Sequence, residues 1–259
     1  MVVSNNQRKS LTYLKWQNIY QTVKLYQALM EVPKGVTHSN LVFENGPEEL
    51  IKDVRGRESL FNLDDNGFTF KKHQFVTQAL FTKDKIESVY LQEVHDLIKN
   101  EIPGADEMFV FNWQLMRNVR TADEAKTDKK DGDQIYLDDS MEWIKPVNHV
   151  HVGDLLDQTP GATEKRIRYH MGDKAEKLLR CRYRIFNGVK IQDCVGVDHI
   201  WRRYVGESNY PLYSPGYNCY FLSGQTKDEV IIFKTHDSSK AAKAMCRFLM
   251  LDYETRLTT

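Results

Sequence analysis

The segment best equipped for chemistry is Pro146-Val147-Asn148-His149-Val150-His151-Val152-Gly153-Asp154. On an extended strand successive side chains alternate faces, so His149 and His151 share one face and Val150 and Val152 the other. Two imidazoles on one face can ligate a metal, or one can serve as an acid or base. A pair of hydrogen-bonded strand histidines is the plainer alternative. A facial iron triad needs a carboxylate two residues after its first histidine and a second, distant histidine. That position is Gly153 here, and the only nearby carboxylates are Asp154, off register, and Asp157. A second candidate is Asp228–Ser238, an apolar strand that runs into a polar turn. There His236 is a candidate ligand or a solvated turn histidine, and Asp237-Ser238 reads equally as a turn cap. Glu254 and Arg256 would share a strand face and could hold an anion or each other. No G-x-S-x-G, P-loop, G-x-G-x-x-G or H-E-x-x-H occurs, so hydrolase, NTPase and dinucleotide readings lack their usual support.

The elements that must position these residues are mostly short and β-like. Val147–Val152, Arg182–Phe186, Tyr217–Leu222, Glu229–Thr235 and Phe248–Thr255 read as strands, and Glu107–Met116 as a buried one. Short helices are expected near 160–170 and 173–180. The clearest helix is 84–100, with Ile86, Val89, Tyr90, Leu97 and Ile98 on one stripe and Asp84 as N-cap. Residues 12–31 place Leu14, Ile19, Val23, Tyr26 and Leu29 near helical spacing before Pro33, which predicts an N-terminal helix. Phe61–Phe68 contains a tight turn with Gly67 at its end. Residues 121–140 are charge-dense and read as a surface loop or a lid. Together these predict a mainly β fold with helices packed outside, organised as an N-terminal helical extension (1–36) and a single β domain (37–259).

Composition narrows the function classes. The 259 residues are 41% apolar and 28% charged, enough for a real core and far from disordered or low-complexity chains. Lys and Arg (36) balance Asp and Glu (36), so no basic excess favours nucleic acid through counterion release. The four cysteines, Cys181, Cys194, Cys219 and Cys246, form no C-x-x-C pair and no disulfide framework. With no secretory h-region at the start and no apolar run near the roughly 20 residues of a membrane helix, a cytoplasmic, reducing setting is expected, without membrane or nucleic-acid partners.

Several blocks taken together resemble one family. Val54–Phe68 is similar to its "DxRGxExxFxLDxxGF" segment, Tyr90–Val94 to its helix, and Phe109–Arg117 to its "VxVFxHxxR" strand. Pro146–His151, Gln158-Thr159 with Gly161-Ala162 and Arg166, Arg182–Asn187, Asp228–Ser238 ("DEVxxxKxxDS") and Tyr253–Arg256 ("SIExR") follow in order. The chain thereby resembles the fungal CmcJ/AsaB, or gibberellin-desaturase-like, family from about Asn40 to Arg256. The resemblance implies a double-stranded β-helix (jelly-roll/cupin-like) core and an iron(II)/2-oxoglutarate site in secondary metabolism. It also shows departures. The family's His-x-Asp falls on His151-Val152-Gly153, and its "PHxxF" on Ala244–Phe248, which puts Met245 or Cys246 at the histidine. Its "NxWRP" block is degraded to Asn187–Ile191, whereas Arg256 stays where the co-substrate carboxylate would bind.

These departures lead to the expectation of a metal-free enzyme without cofactor. A single imidazole does not hold iron at useful affinity. His151, Lys190 and Arg256 are then the catalytic donors, and His149, Trp113, Trp201, Tyr183, Tyr220 and Arg247 line the pocket. The sharpest form of this reading is a pericyclase on polyketide or terpenoid substrates, similar to tropolone–sesquiterpenoid hetero-Diels–Alderases. It would lose water to give a quinone methide and guide its addition to a humulene-type alkene. The alternative is an iron(II)/2-oxoglutarate oxygenase or desaturase with His151, Asp154 and His236 as ligands. A third reading is a non-catalytic small-molecule-binding protein.

Overall fold

A computed structural model describes residues 5–28, 30, 32–76, 82–113, 149–151, 160–186, 194–200, 205–226 and 228–242. The chain begins as sheet. β1 (Gln7–Leu14) pairs antiparallel with β3 (Phe43–Asp53), which pairs parallel with β8 (Cys219–Phe221). β2 (Leu25–Ala28) joins β6 (Cys194–Ile200) in parallel, and β6 joins β7 (Val205–Pro211) antiparallel. Two further antiparallel pairs are β4 (Phe68–Lys72) with β9 (Glu229–Phe233) and β5 (Arg184–Ile185) with β10 (His236–Asp237).

The helix expected over 12–31 is therefore replaced by β1, a 3-10 turn at Asn18–Gln21 and β2. The physical reason is the partner. Leu11, Tyr13 and Leu14 are buried, and the main chain of β1 finds its hydrogen bonds on β3. Near helical spacing in 12–31 comes from two apolar clusters that this segment joins: Leu11 and Tyr13 with Ile51, Val150 and Cys219, and Leu14 with Tyr20, Leu25 and Tyr210. Residues 5–28 are thus woven into the sheets rather than appended to them. The ladder of β1 and β3 is irregular between Ser10 and Thr12, opposite Gly46 and Pro47. Proline lacks the N–H that a regular ladder needs there. A Cβ at Gly46 would lie 2.9 Å from the Tyr13 ring, so glycine allows that close approach.

The helix expected at 84–100 is present. It starts with α1 (Lys83–Lys85), continues through a π turn (Ile86–Tyr90) and ends with α2 (Leu91–Glu101). Its cap is Thr82, whose hydroxyl accepts from the Lys85 N–H, and not Asp84. Asp84 sits within the first turn, where a carboxylate still favours the helix N-terminus. Leu97 packs with Phe75 and Ile232 against the β4–β9 pair, so the helix covers that face. α3 (Pro160–Met171) and α4 (Ala175–Leu178) match the two short helices.

Glu107–Trp113 forms no strand among the described residues, and Phe109 is 51% exposed. Its apolar side chains are used against a helix: Phe109 and Phe111 pack on His170 of α3, and the Arg166 guanidinium lies over the Phe111 ring at 4.6 Å. The turn before β4 is as expected, with Gly67 at φ 80° and its carbonyl accepting from Lys234 N–H. Residues 114–116, 121–140 and 248–255 lie outside the described residues. No helix among the described residues is long and apolar enough to cross a membrane.

Candidate functional site

His149 and His151 lie side by side, ring centroids 6.0 Å apart, as a shared face requires. Neither sits in a ladder of its own. Instead Val150, fully buried between them, donates its N–H to the Thr12 carbonyl of β1 at 2.7 Å. This tether, with the packing of Val150 against Leu11, Tyr13 and Ile51, turns both imidazoles the opposite way. There His149 stacks between Phe43 of β3 (4.1 Å) and Tyr210 of β7 (5.4 Å). His151 also reaches Tyr210, at 6.5 Å, and is only 7% exposed. Its Nδ1–H donates to the His149 carbonyl at 3.1 Å. In the neutral imidazole that bond puts the lone pair on Nε2, the arrangement that orients a metal-ligating or proton-accepting ring. The Tyr210 hydroxyl donates to Gln27 Oε1 at 3.0 Å, and burial pushes its pKa well above the ordinary tyrosine value, so it stays protonated.

Phe43, Tyr210 and Gln27 escape sequence reasoning, because no spacing connects β2, β3 and β7 to His149. Their signal would have been the strand pairing itself.

The second candidate segment builds a different centre. Asp237 is not a simple turn cap. Its side chain is fully buried and its carboxylate accepts from Arg182 Nε (3.0 Å) and Nη2 (2.7 Å), Lys234 Nζ (3.2 Å) and the Ser239 N–H (3.1 Å). Burial alone would raise its pKa, yet these donors hold it down to about 2. His236 is buried rather than solvated, and stacks on Tyr183 at 5.4 Å. Burial lowers its pKa, which keeps it neutral. The ring partner of His236 is Tyr183, whereas His151 meets His149 and Tyr210, so the two imidazoles belong to separate ring clusters.

Of the other pocket candidates, Tyr220 packs on Phe61 and Phe68 with the Lys52 ammonium over its ring, a core position. Trp113 is half-buried at the end of the irregular 105–113 segment. Lys190, Trp201, Arg247, Arg256, Asp154 and Asp157 lie outside the described residues. Among the described residues no three His, Cys, Asp or Glu side chains come together to hold a metal ion. His151 fits a ligand's role, and a complete iron centre needs both a second, distant imidazole and a carboxylate from beyond the described set, such as Asp154 or Asp157.

The signature around Arg55 proves structural. Arg55 clamps Glu229 with two bonds (2.5 and 3.1 Å) and donates to the Ser223 carbonyl, while Asp53 accepts from the Ser223 hydroxyl and from backbone N–H groups. These bonds tie the end of β3 to the β8–β9 turn, at the opposite end of β3 from Phe43.

The chain is similar to fungal enzymes of one kind. It is 25% identical to alpha-ketoglutarate-dependent dioxygenase phiK of Fungal sp., over 73% of this chain and 70% of that protein. It is 26% identical to hydroxylase/desaturase efuI of Hormonema carpetanum, over 83% of this chain and 80% of the relative. Hydroxylase/desaturase poxK of Penicillium oxalicum is 24% identical, over 82% and 72%. In three dimensions it resembles the iron and alpha-ketoglutarate-dependent endoperoxidase NvfI, with a TM-score of 0.67 at 20% identity, covering 90% of this chain and 85% of that one. A single-substitution variant of NvfI gives 0.68 at the same identity, covering 90% of this chain and 84% of the variant. The fold is therefore the jelly-roll of such oxygenases, as the family resemblance implied. The family described as oxidoreductase/YMDC permease-like domain matches residues 11–189, well over half of the sequence, and the protein belongs to that family.

Proposed function

We propose that the protein is an oxidative tailoring enzyme of the iron(II)/2-oxoglutarate type, a hydroxylase or desaturase acting on a small organic substrate of fungal secondary metabolism. The carrying observation is His151: buried, paired with His149, and held by its Nδ1–H bond so that Nε2 presents the lone pair. The names of the relatives, a dioxygenase and two hydroxylase/desaturases, support the same chemistry. Bound iron and 2-oxoglutarate would activate dioxygen as the oxidant for an unactivated C–H bond. The chain's own contribution is positioning. The Phe43–His149–Tyr210 stack packs beside His151 and would keep water away from it. The Tyr210–Gln27 bond locks that stack to β2. Asp154 or Asp157 would supply the carboxylate ligand, and Arg256 the cation for the co-substrate carboxylate.

A second reading is favoured by Gly153, which stands where the metal carboxylate belongs. On that reading the enzyme is a metal-independent pericyclase or dehydratase. His151, once protonated at Nε2, and Lys190 would then donate protons to expel water, Arg256 would polarise oxygen atoms by hydrogen bonding, and the pocket would orient two polyketide or terpenoid partners. The experiment is 2-oxoglutarate turnover by the purified chain with and without added iron(II). Iron-dependent succinate release supports the oxygenase. No release, together with metal-independent cyclisation of quinone methides, overturns it in favour of the pericyclase.

A further inference from the structure

Three cations, Arg182, Arg184 and Lys234, surround Asp237, the one carboxylate of the β5–β10 ladder. Arg184 stands directly opposite Asp237 in the antiparallel register, the natural place for an ion pair. No such pair forms, because Asp237 is already saturated. Oδ1 accepts from Arg182 Nε and the Ser239 N–H, and Oδ2 from Arg182 Nη2 and Lys234 Nζ. Lys234 is 2% exposed and has no other acceptor among the described residues, so it holds its share of the carboxylate. Arg184, half-buried, makes no hydrogen bond or ion pair among the described residues, which leaves its five-donor fork unused. Asp64 and Asp237 act on it only through space, against repulsion from Arg182. Since the whole chain is formally neutral, this local excess is a property of the ladder and not of the overall charge.

We infer that Arg184 is a docking group for the carboxylate of a small organic acid. A planar guanidinium with free parallel N–H groups matches a carboxylate edge in two bonds, and a half-buried position strengthens both. Asp237 takes Nε and Nη2 of Arg182 and one N–H of buried Lys234, so Arg184 offers the larger free fork while the Arg182 and Lys234 charges add attraction. A bound anion would relieve what now disfavours the Arg184 cation, namely burial and the neighbouring Arg182. The site needs no metal and stands apart from the carboxylate role that the family resemblance gives Arg256.

The test is an equilibrium titration of the full metal-free chain with succinate and with inorganic phosphate, for the wild type and the variants Arg184→Gln, Arg184→Lys and Arg256→Gln. Succinate should bind the wild type in the millimolar range or tighter and at least about tenfold more weakly to Arg184→Gln, whereas Arg256→Gln should keep the Arg184-dependent part of the binding. Arg184→Lys should fall in between, because it keeps the charge and loses the fork. Arg184 donates no bond among the described residues, so thermal midpoints should match, and Arg184→Lys remains a valid arm should Arg184→Gln misfold. Equal succinate affinity in the wild type and Arg184→Gln overturns the proposal. So does the absence of binding to the wild type up to roughly 20 mM. Tighter Arg184-dependent binding of phosphate refutes the carboxylate assignment, and loss of succinate in Arg256→Gln alone moves the site elsewhere.

Discussion

Glu229→Gln is the sharpest test of how the end of β3 is held to the start of β9. Glu229 takes two bonds from Arg55 and a third from the Thr226 N–H at 2.8 Å. The Arg55 contact holds its pKa down from 4.5 to about 2. Each pKa unit corresponds to about 1.4 kcal/mol, which sets an upper bound near 3 kcal/mol for the charge. The Glu229 side chain is 6% exposed and that of Arg55 27%, so water recovers part of the loss, and about 2 kcal/mol is expected from the substitution. For a chain of this size that is a fall of roughly 4–8 °C in the thermal midpoint. The sign of the pH dependence follows from the depressed folded-state pKa. The contribution is fully present above the unfolded value of 4.5 and fades as pH falls towards about 2. Urea melts of wild type and variant at neutral pH and at successively lower pH should show the gap closing in that window. Equal stability at neutral pH, or a gap that does not change with pH, would refute the clamp.

Other substitutions probe neighbouring parts of the fold. Asp237→Asn strands the buried Lys234 without a counter-charge and should cost about 3–5 kcal/mol, read from chemical denaturation. Gly46→Ala drives a Cβ to 2.9 Å from the fully buried Tyr13 ring and should destabilise by about 1–3 kcal/mol, visible as a lower midpoint. Burial and Glu49 push the Cys219 thiol up to about 12, so brief iodoacetamide treatment at mildly alkaline pH should label the exposed Cys181 and spare Cys219 in peptide mass maps. Leu97→Ala, which empties the contact between α2 and Ile232, should cost about 2–5 kcal/mol by the same melts.

Much of the second half of the fold was legible because its strands are short, apolar and bounded by turns. Glu229–Phe233 and Cys219–Phe221 fall inside the expected segments, and α3 and α4 lie where helices were expected. The N-terminal strands were not legible. Leu14, Val23 and Tyr26 imitate a helical stripe, and the partner that makes β1 a strand is β3, a polar sequence with a bulge whose pairing no local pattern reveals. Glu107–Trp113 misled for the opposite reason: its apolar residues look like a strand but pack on α3. At the site, the period of two placed His149 and His151 on one face, and their rings do meet. What the period could not supply was Phe43 and Tyr210, brought there by tertiary pairing. Asp237 looked like a turn residue because its partners, Arg182 and Lys234, are joined to it by the β5–β10 ladder and by burial.

The most direct measurement is an anaerobic iron(II) titration of the wild type and His151→Ala in the presence of 2-oxoglutarate. The account predicts one iron per chain for the wild type and loss of that binding in the variant, with the fold of both intact by circular dichroism. Failure of the wild type to take up iron, or equal uptake by His151→Ala, would contradict His151 as the ligand on which the oxygenase reading rests.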